Sequence, residues 1–311
     1  MTLEQSLKAK AREIGFLDCG ITDPGPVPHA QELDDWLARG YAGTMRYLHR
    51  QARKRKDPSL IVPEARSVVI ICDNYYYESD SESPPYPKVA KYARGTDYHI
   101  ATRNRIIELA NWLTENGAKL AHPYVDAGPV PERELAQRAG LGWIGKNTML
   151  ISPVAGSFFF LGAVFTDLAL AADLPQTADH CGTCTRCLDA CPTKAFPSPR
   201  VLDATRCISY LTIEHRGPVP EDLASQFEGW AFGCDICNDV CPWNIKFARD
   251  SSHPEYRPRP VWRDTGAPGF FDELSPDRFG VLFGDTPLER PGLQGMRRNW
   301  HAAQPPSRPA D

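Results

Sequence analysis

Cysteine spacing constrains this 311-residue chain more than any other feature. Cys181-x2-Cys184-x2-Cys187-x3-Cys191 is followed at once by Pro192, a shorter copy, Cys234-x2-Cys237-x3-Cys241, is followed by Pro242, and Cys207 stands between them. In a run of this form three thiolates wrap one four-iron, four-sulfur cubane and the fourth crosses to a second. That rule assigns Cys181, Cys184, Cys187 and Cys241 to one cluster and Cys191, Cys207, Cys234 and Cys237 to the other. Ligands exchanged in this way hold two cubanes close together, where electrons can hop between them. A pair of structural zinc sites would also use eight cysteines as CxxC pairs, but zinc gives no reason for the CxxCxxCxxxCP form.

The remaining cysteines, Cys19 and Cys72, fall outside the pattern and read as buried small hydrophobes. The opening MTLEQSLKAKAREIGF has no apolar signal segment, and no run of about 18 uncharged apolar residues follows. The chain is therefore expected in the cytoplasm, off the membrane, where thiols stay reduced and clustered cysteines mean metal or redox chemistry. Hydrophobic residues at 42% and charged residues at 24% are ordinary for a globular protein. A formal charge of -4 does not exclude nucleic acid, because phosphate binding depends on where Lys and Arg sit.

Upstream of the cysteines, helix and strand signals alternate. Thr2 and Gln5 form a capping box ahead of Leu3, Leu7 and Ile14, with Gly15 as the stop. Asp34–Arg39, Thr44–Lys56 and Ile100–Glu115 carry helical periodicity, Ser67–Cys72 (SVVIIC) reads as a buried strand, and Ala118–Val125 and Ser157–Leu168 read as further strands. The glycines of GLGWIG (140–145) mark tight turns or close backbone approach. The expected class is α+β: an α/β domain over 1–172, a bacterial ferredoxin-like domain with two [4Fe-4S] clusters over 173–250, and an extension over 251–311. Ten prolines in that last stretch, at 254, 258, 260, 268, 276, 287, 291, 305, 306 and 309, predict a packed extension without a regular core and a loose end.

The segments GFLDCGITD (15–23), DAGPVPERELAQRAGLGWIGKNTMLISP (126–153), YLTIEHRG (210–217), FGCDICNDVCPWN (232–244) and TPLER (286–290) together resemble the epoxyqueuosine reductase family. The resemblance covers about residues 1–250 and a short stretch near the end. It implies a cobalamin bound by the N-terminal domain, and reduction of the epoxide of epoxyqueuosine at the tRNA wobble position, fed by a low-potential electron donor. No Asp-x-His-x-x-Gly motif is present to supply a lower histidine ligand to cobalt, which agrees with the family. The chain is too short for the helical-repeat tail that many family members carry, and it is expected to act as a monomer.

The resemblance also implies roles. Asp126 matches the family's catalytic aspartate, a proton donor whose carboxyl would be kept protonated by burial beside the macrocycle. From the residues alone, an Asp ahead of Gly128 and Pro129 reads sooner as a turn cap than as a catalytic group. Arg55, Asn147, Thr148 and Ser157 are candidate contacts to the corrin amides or tail. Arg46, Arg50, Arg53, Lys54, Arg55 and Lys56, joined by Arg216, Arg297 and Arg298, could meet tRNA phosphates or form a solvated face. Tyr75, Tyr76 and Tyr77 could stack a base or cover a core edge, and His215 could touch substrate or bond to backbone. Two other functions share this layout: a cobalamin-dependent reductive dehalogenase, and an electron carrier that performs no bond chemistry.

Overall fold

The structure is a computed structural model describing residues 1–78, 87–267 and 269–304. Its first part runs α1 (Leu3–Ile14), β1 (Asp18–Thr22), α2 (Ala30–Ala38), α3 (Arg46–Lys56), β2 (Ser67–Asn74), β3 (Lys88–Val89), α4 (Tyr98–Glu115), β4 (Ala121–Tyr124), α5 (Glu132–Arg138), β5 (Trp143–Ile144), β6 (Leu150–Ile151) and β7 (Phe159–Thr166). The rest continues with α6 (Arg186–Asp189), α7 (Ile208–Ile213), α8 (Glu221–Ala224), β8 (Trp230–Phe232), α9 (Ile236–Asp239), α10 (Pro242–Phe247), α11 (Phe270–Glu273), α12 (Pro276–Phe283) and α13 (Gly292–Ala303).

The capping box forms as its sequence requires, with the Thr2 hydroxyl accepting from Gln5 N and the Gln5 side chain accepting from Thr2 N. Gly15 ends α1 at φ +104°, in the left-handed region that glycine enters without penalty. The central sheet has the order β1-β2-β7-β4, and every pairing in it is antiparallel. That pairing makes the N-terminal part α+β, where helix–strand alternation had left a parallel α/β arrangement open.

Strand β2 explains its own sequence. Val69 and Ile71 face a core shared with α1 and α4, through Leu7, Ala11, Ile106, Leu109 and Leu113. Val68, Ile70 and Cys72 face the opposite core, with Leu135, Ala136 and Ala139 of the α5 segment. A strand covered on both faces has no polar side, so SVVIIC is apolar throughout. Cys19 and Cys72 lie one in each core, both buried; burial pushes the Cys19 thiol up to about 12.

The stretch 251–304 corrects the expectation of a chain without a core. Trp262, Phe271, Phe279, Phe283, Leu288, Met296 and Trp300 form a buried cluster with Phe232 of β8 and Val89 of β3. Its prolines begin elements instead of breaking them: Pro276 opens α12, and Pro254, Pro260 and Pro287 open short 3₁₀ turns. A first-turn position has no intrahelical N–H bond to lose, and the fixed proline φ suits it. The cluster is tied to the sheet domain by polar contacts. Trp262 Nε1 donates to Arg94 O at 2.7 Å. On buried Asp73 of β2, Oδ2 accepts from Thr102 Oγ1, Arg105 Nη2 and Tyr256 OH at 2.7, 2.6 and 2.6 Å. The expected loose end, 305–311, lies outside the described residues. Among the described residues no helix is long and apolar enough to cross a membrane.

Candidate active site and cluster pocket

The structure gathers the patterned cysteines in one region, with Cys191, Cys207, Cys234 and Cys237 close enough to influence one another. Cys181, Cys184, Cys187 and Cys241 line one cavity of about 160 Å³, with Lys146, His180, Arg186 and Trp243 on its walls. Burial pushes the Cys187 thiol up to about 11, helped by its neighbours Cys181, Cys241 and Cys184. The other set is more enclosed. The Cys237 thiol is driven well above its usual range by burial first, then by Cys207, Asp235, Cys187 and Cys191. Cys234 is raised by burial too, with Cys237 and Cys207 adding to it. Cys187 of the first set also acts on Cys237. Thiols that are costly to ionise alone would be stabilised as thiolates by binding a metal.

The GLGWIGKN segment is the socket for both cysteine loops. A Cβ on Gly142 would collide with the Ile151 carbonyl, so the close approach expected of these glycines is real. Trp143 Nε1 donates to Cys181 Sγ at 3.5 Å, and its ring meets Trp243 and His180 edge-on, each at 4.9 Å. Lys146 Nζ donates to the carbonyls of Gly182 and Cys184 at 2.7 and 2.9 Å. Asn147 Nδ2 donates to Asn238 Oδ1 at 3.2 Å, and Ser157 Oγ donates to the same oxygen at 3.3 Å. Asn244 Nδ2 donates to Asn238 O at 2.8 Å and to Ser157 Oγ at 2.9 Å, while its Oδ1 accepts from Ser157 N at 2.6 Å. Asn147 and Ser157, expected to face a corrin, are 3% and 1% exposed and engaged in this network. Their side chains hold the second cysteine loop.

Asp126 sits where the sequence places it, just past β4, on a wall it shares with Tyr98 and Glu132. Its backbone takes φ +49°, in the left-handed region. Its amide donates to Glu132 Oε1 at 2.9 Å, and its Oδ2 accepts from Tyr98 OH at 2.5 Å. His99 Nε2 lies 3.9 Å from the same oxygen, and the Asp126 side chain is 61% exposed. The protein by itself therefore leaves this carboxyl open on one side. Burial, followed by the charge of Asp126, pushes Tyr98 well above the tyrosine range, so it remains an O–H donor. Glu132 is pushed up to about 8 by burial and then by Asp126. Glu132 is half-buried and Arg133 exposed at the surface beside this loop.

Arg55 reaches this wall from α3. Its Nη2 donates to Gly128 O at 3.0 Å and its Nη1 to Val130 O at 3.4 Å, while its buried Nε has no partner. Thr148 also takes a left-handed φ, +67°, and its carbonyl accepts from Arg133 Nη1. An aromatic ladder leads inward from Asp126: Tyr98 lies 6.2 Å from Tyr92, which lies 6.1 Å from Phe232, two residues before Cys234.

The basic cluster divides. Arg46, Arg50, Arg53 and Lys54 are exposed on α3, whereas Lys56 pairs with Asp34 at 2.7 Å. Arg297 and Arg298 do not extend that face: Arg297 bonds the carbonyls of Phe271, Asp272 and Leu274, and Arg298 those of Leu211, His215 and Gly217. Arg216 donates to Arg290 O at 2.9 Å, and Arg290 pairs with Glu214 at 2.9 Å, so YLTIEHRG and TPLER meet. Tyr75 is buried 4.5 Å from the Phe160 ring, and Tyr77 OH donates to His253 O at 2.9 Å; the tyrosines cover a core edge. His215 Nε2 donates to the Pro218 carbonyl at 3.0 Å, a structural bond.

A family model described as a 4Fe-4S double cluster binding domain matches residues 180–244, and one described as epoxyqueuosine reductase QueG, DUF1730, matches residues 55–127. A protein of Cellulophaga algicola named epoxyqueuosine reductase is 39% identical over 295 residues, 94% of this chain and 95% of its own length. The chain belongs to the epoxyqueuosine reductase family. Another family member, from Leadbetterella byssophila, is 42% identical over 300 residues, 95% of this chain and 96% of its own. Among solved epoxyqueuosine reductases, one holding an epoxyqueuosine-modified tRNA-Tyr stem loop superposes with a TM-score of 0.85 at 29% identity, over 97% of this chain and 80% of that one. The Bacillus subtilis enzyme, captured with an aspartate catalytic loop swung out of its active site, gives the same TM-score, 0.85, at 30% identity and the same coverage, 97% and 80%. The double-cluster match supports iron and sulfide over the zinc alternative, and family membership supports the reductase over the dehalogenase and the simple carrier.

Proposed function

We propose that this protein reduces the epoxide of epoxyqueuosine in tRNA to the alkene of queuosine, consuming two electrons and two protons and releasing water. The observation that carries the reading is membership of a family one of whose solved members holds an epoxyqueuosine-modified tRNA stem loop. Cys181, Cys184, Cys187 and Cys241 would hold one [4Fe-4S] cluster, and Cys191, Cys207, Cys234 and Cys237 the other. A cobalamin would sit on the wall around Asp126. That wall offers the unpartnered Nε of Arg55 and aromatic rings from Tyr92 and Tyr98, and a flat macrocycle bearing amides would use both. Bound there, it would supply a reduced cobalt competent for chemistry at carbon, with the clusters delivering electrons singly.

The chain's own residues manage the proton. In this reading Asp126 is the donor to the epoxide oxygen as its bond to carbon breaks. Tyr98, kept protonated, donates to Oδ2 and leaves Oδ1 for the substrate. The Tyr98 ring is itself stacked on Phe160, centroids 4.3 Å apart, which fixes where its hydroxyl points. Arg55, with two carbonyls of the Asp126 loop already in hand, is a contact to cofactor through Nε only. Thr148 stays a candidate contact, through a hydroxyl on a strained turn.

The reading is tested by anaerobic reconstitution with iron, sulfide and cobalamin, followed by mass analysis of nucleosides from treated epoxyqueuosine-containing tRNA. The expected product is queuosine. Protein holding about eight irons and a corrinoid that leaves the epoxide intact would overturn it. For Asp126, turnover of Asp126→Asn should fall by roughly 10²–10⁴, the usual worth of a positioned proton donor; near wild-type turnover would end its assignment.

A further inference from the structure

The loop after β4 is held by side chains that come from outside it. Arg55 bonds the carbonyls of Gly128 and Val130, and Glu132 accepts the Asp126 amide at 2.9 Å. Glu132 is the first residue of α5, whose N-cap, Pro131, offers no side-chain cap. A glutamate there commonly serves its own helix end; this one turns back six residues instead. Asp126 needs such a hold. A left-handed φ is costly for a non-glycine residue, and it persists only where the surroundings impose it.

We propose that Glu132 is the positioning residue of the Asp126 loop: its carboxyl oxygen captures the Asp126 amide, fixes the left-handed turn, and so aims the Asp126 carboxyl at Tyr98. The proposal rests on the reading of Asp126 as proton donor, and adds what keeps that donor in place. The charges of Arg55 and Arg133 both act on Glu132. Arg133 is in turn bonded to the Thr148 carbonyl on the segment that grips the cysteine loops. The loop position is therefore set from three sides, by α3, α5 and the turn before β6. In the Bacillus subtilis relative the aspartate loop has a second, swung-out position; a chain with two loop positions requires something that selects the inner one, and the Glu132–Asp126 bond is the contact made directly to the aspartate's backbone.

The experiment compares Glu132→Ala and Glu132→Gln in the cluster-loaded protein, by hydrogen exchange of the 124–131 segment and by steady-state kinetics on epoxyqueuosine-containing tRNA. Loss of one such bond predicts roughly tenfold faster exchange at the Asp126 amide in Glu132→Ala, and a kcat lowered by about the same factor with KM nearly unchanged. Glutamine keeps an acceptor oxygen, so Glu132→Gln should recover the protection and most of the kcat. Unchanged exchange in Glu132→Ala, a loss confined to KM, or no recovery with glutamine would each overturn the proposal. Exchange is read without cobalamin or substrate, which separates the two readings. If Asp126→Asn keeps full turnover while Glu132→Ala loosens the loop, the donor assignment fails and the positioning role stands. Should Glu132→Ala be poorly folded, exchange in Glu132→Gln decides: wild-type protection supports the role, lost protection refutes it.

Discussion

The indole N–H of Trp143 meets the Cys181 thiol across 3.5 Å, a donor from the sheet domain aimed at one sulfur of the cavity-lining set. A hydrogen bond to a ligating sulfur spreads its negative charge and favours the reduced cluster, which raises the potential. Trp143→Phe keeps most of the ring volume and removes the donor. The expected result, by redox titration followed with electron paramagnetic resonance, is a more negative potential for one of the two clusters and no change in the other. Equal shifts in both, or none, would mean that the contact is packing alone.

Asn244 touches its neighbours with both ends of its amide, and it is 2% exposed. Asn244→Ala would strand Ser157 N and the Asn238 carbonyl without partners inside the protein. Each stranded group costs about 1–3 kcal/mol, so a loss of roughly 2–5 kcal/mol is expected in denaturant unfolding of the cluster-loaded protein. Iron should leave the variant faster under chelator, because the residues lost support the Cys237–Cys241 loop. Ser157→Ala removes one hydroxyl and should cost about 1 kcal/mol. Equal effects of the two substitutions would contradict the network described.

Glu132 gives the site a pH signature. Its carboxyl is pushed up to about 8 by burial and then by Asp126, whereas an unfolded glutamate titrates near about 4.3. Between those values the folded state holds a proton that the unfolded state has released. The stability tied to this proton is complete below about pH 4.3 and is lost as pH rises through about 8. Melting temperatures measured at pH 5.5 and 8.5 should fall with pH from this group. The fall should shrink in Glu132→Gln, which has no proton to lose, and in Asp126→Asn, which removes the neighbouring charge. A slope identical in all three proteins would show that Glu132 does not titrate there.

What the sequence made legible was whatever depends on local spacing. CxxCxxCxxxCP names a double-cluster domain because each loop wraps a group of fixed size, and SVVIIC names a doubly covered strand because only burial on both faces tolerates such a run. Asp126 was legible only through the family resemblance. Glu132, Trp143 and Lys146 stood inside quoted segments without a role, because each acts on a partner that the fold brings near: six residues away for Glu132, 38 for Trp143 with Cys181. The bonds of Asn147 and Ser157 to Asn238 were hidden for the same reason. Asn238 lies 91 and 81 residues from them, and no periodicity in the chain reports that distance.

Proline counting failed at 251–304 because it treats each proline as a break, while position within the element decides its effect. The structure instead predicts that this stretch carries stability for the whole chain. Phe283 is fully buried among Trp262, Phe271 and Phe279. Phe283→Ala removes most of that side chain from a packed core, at a cost of about 3–5 kcal/mol. The cluster is joined to β3 and β8 by packing, to the segment before α4 through Trp262 and Arg94, and to β2 through Tyr256 and Asp73. Unfolding should therefore remain a single transition, shifted as a whole, when followed by both tryptophan fluorescence and cluster absorbance. An early transition in fluorescence that leaves cluster absorbance at its wild-type midpoint would mean that the segment folds as a separate unit, resting on the sheet domain without supporting it.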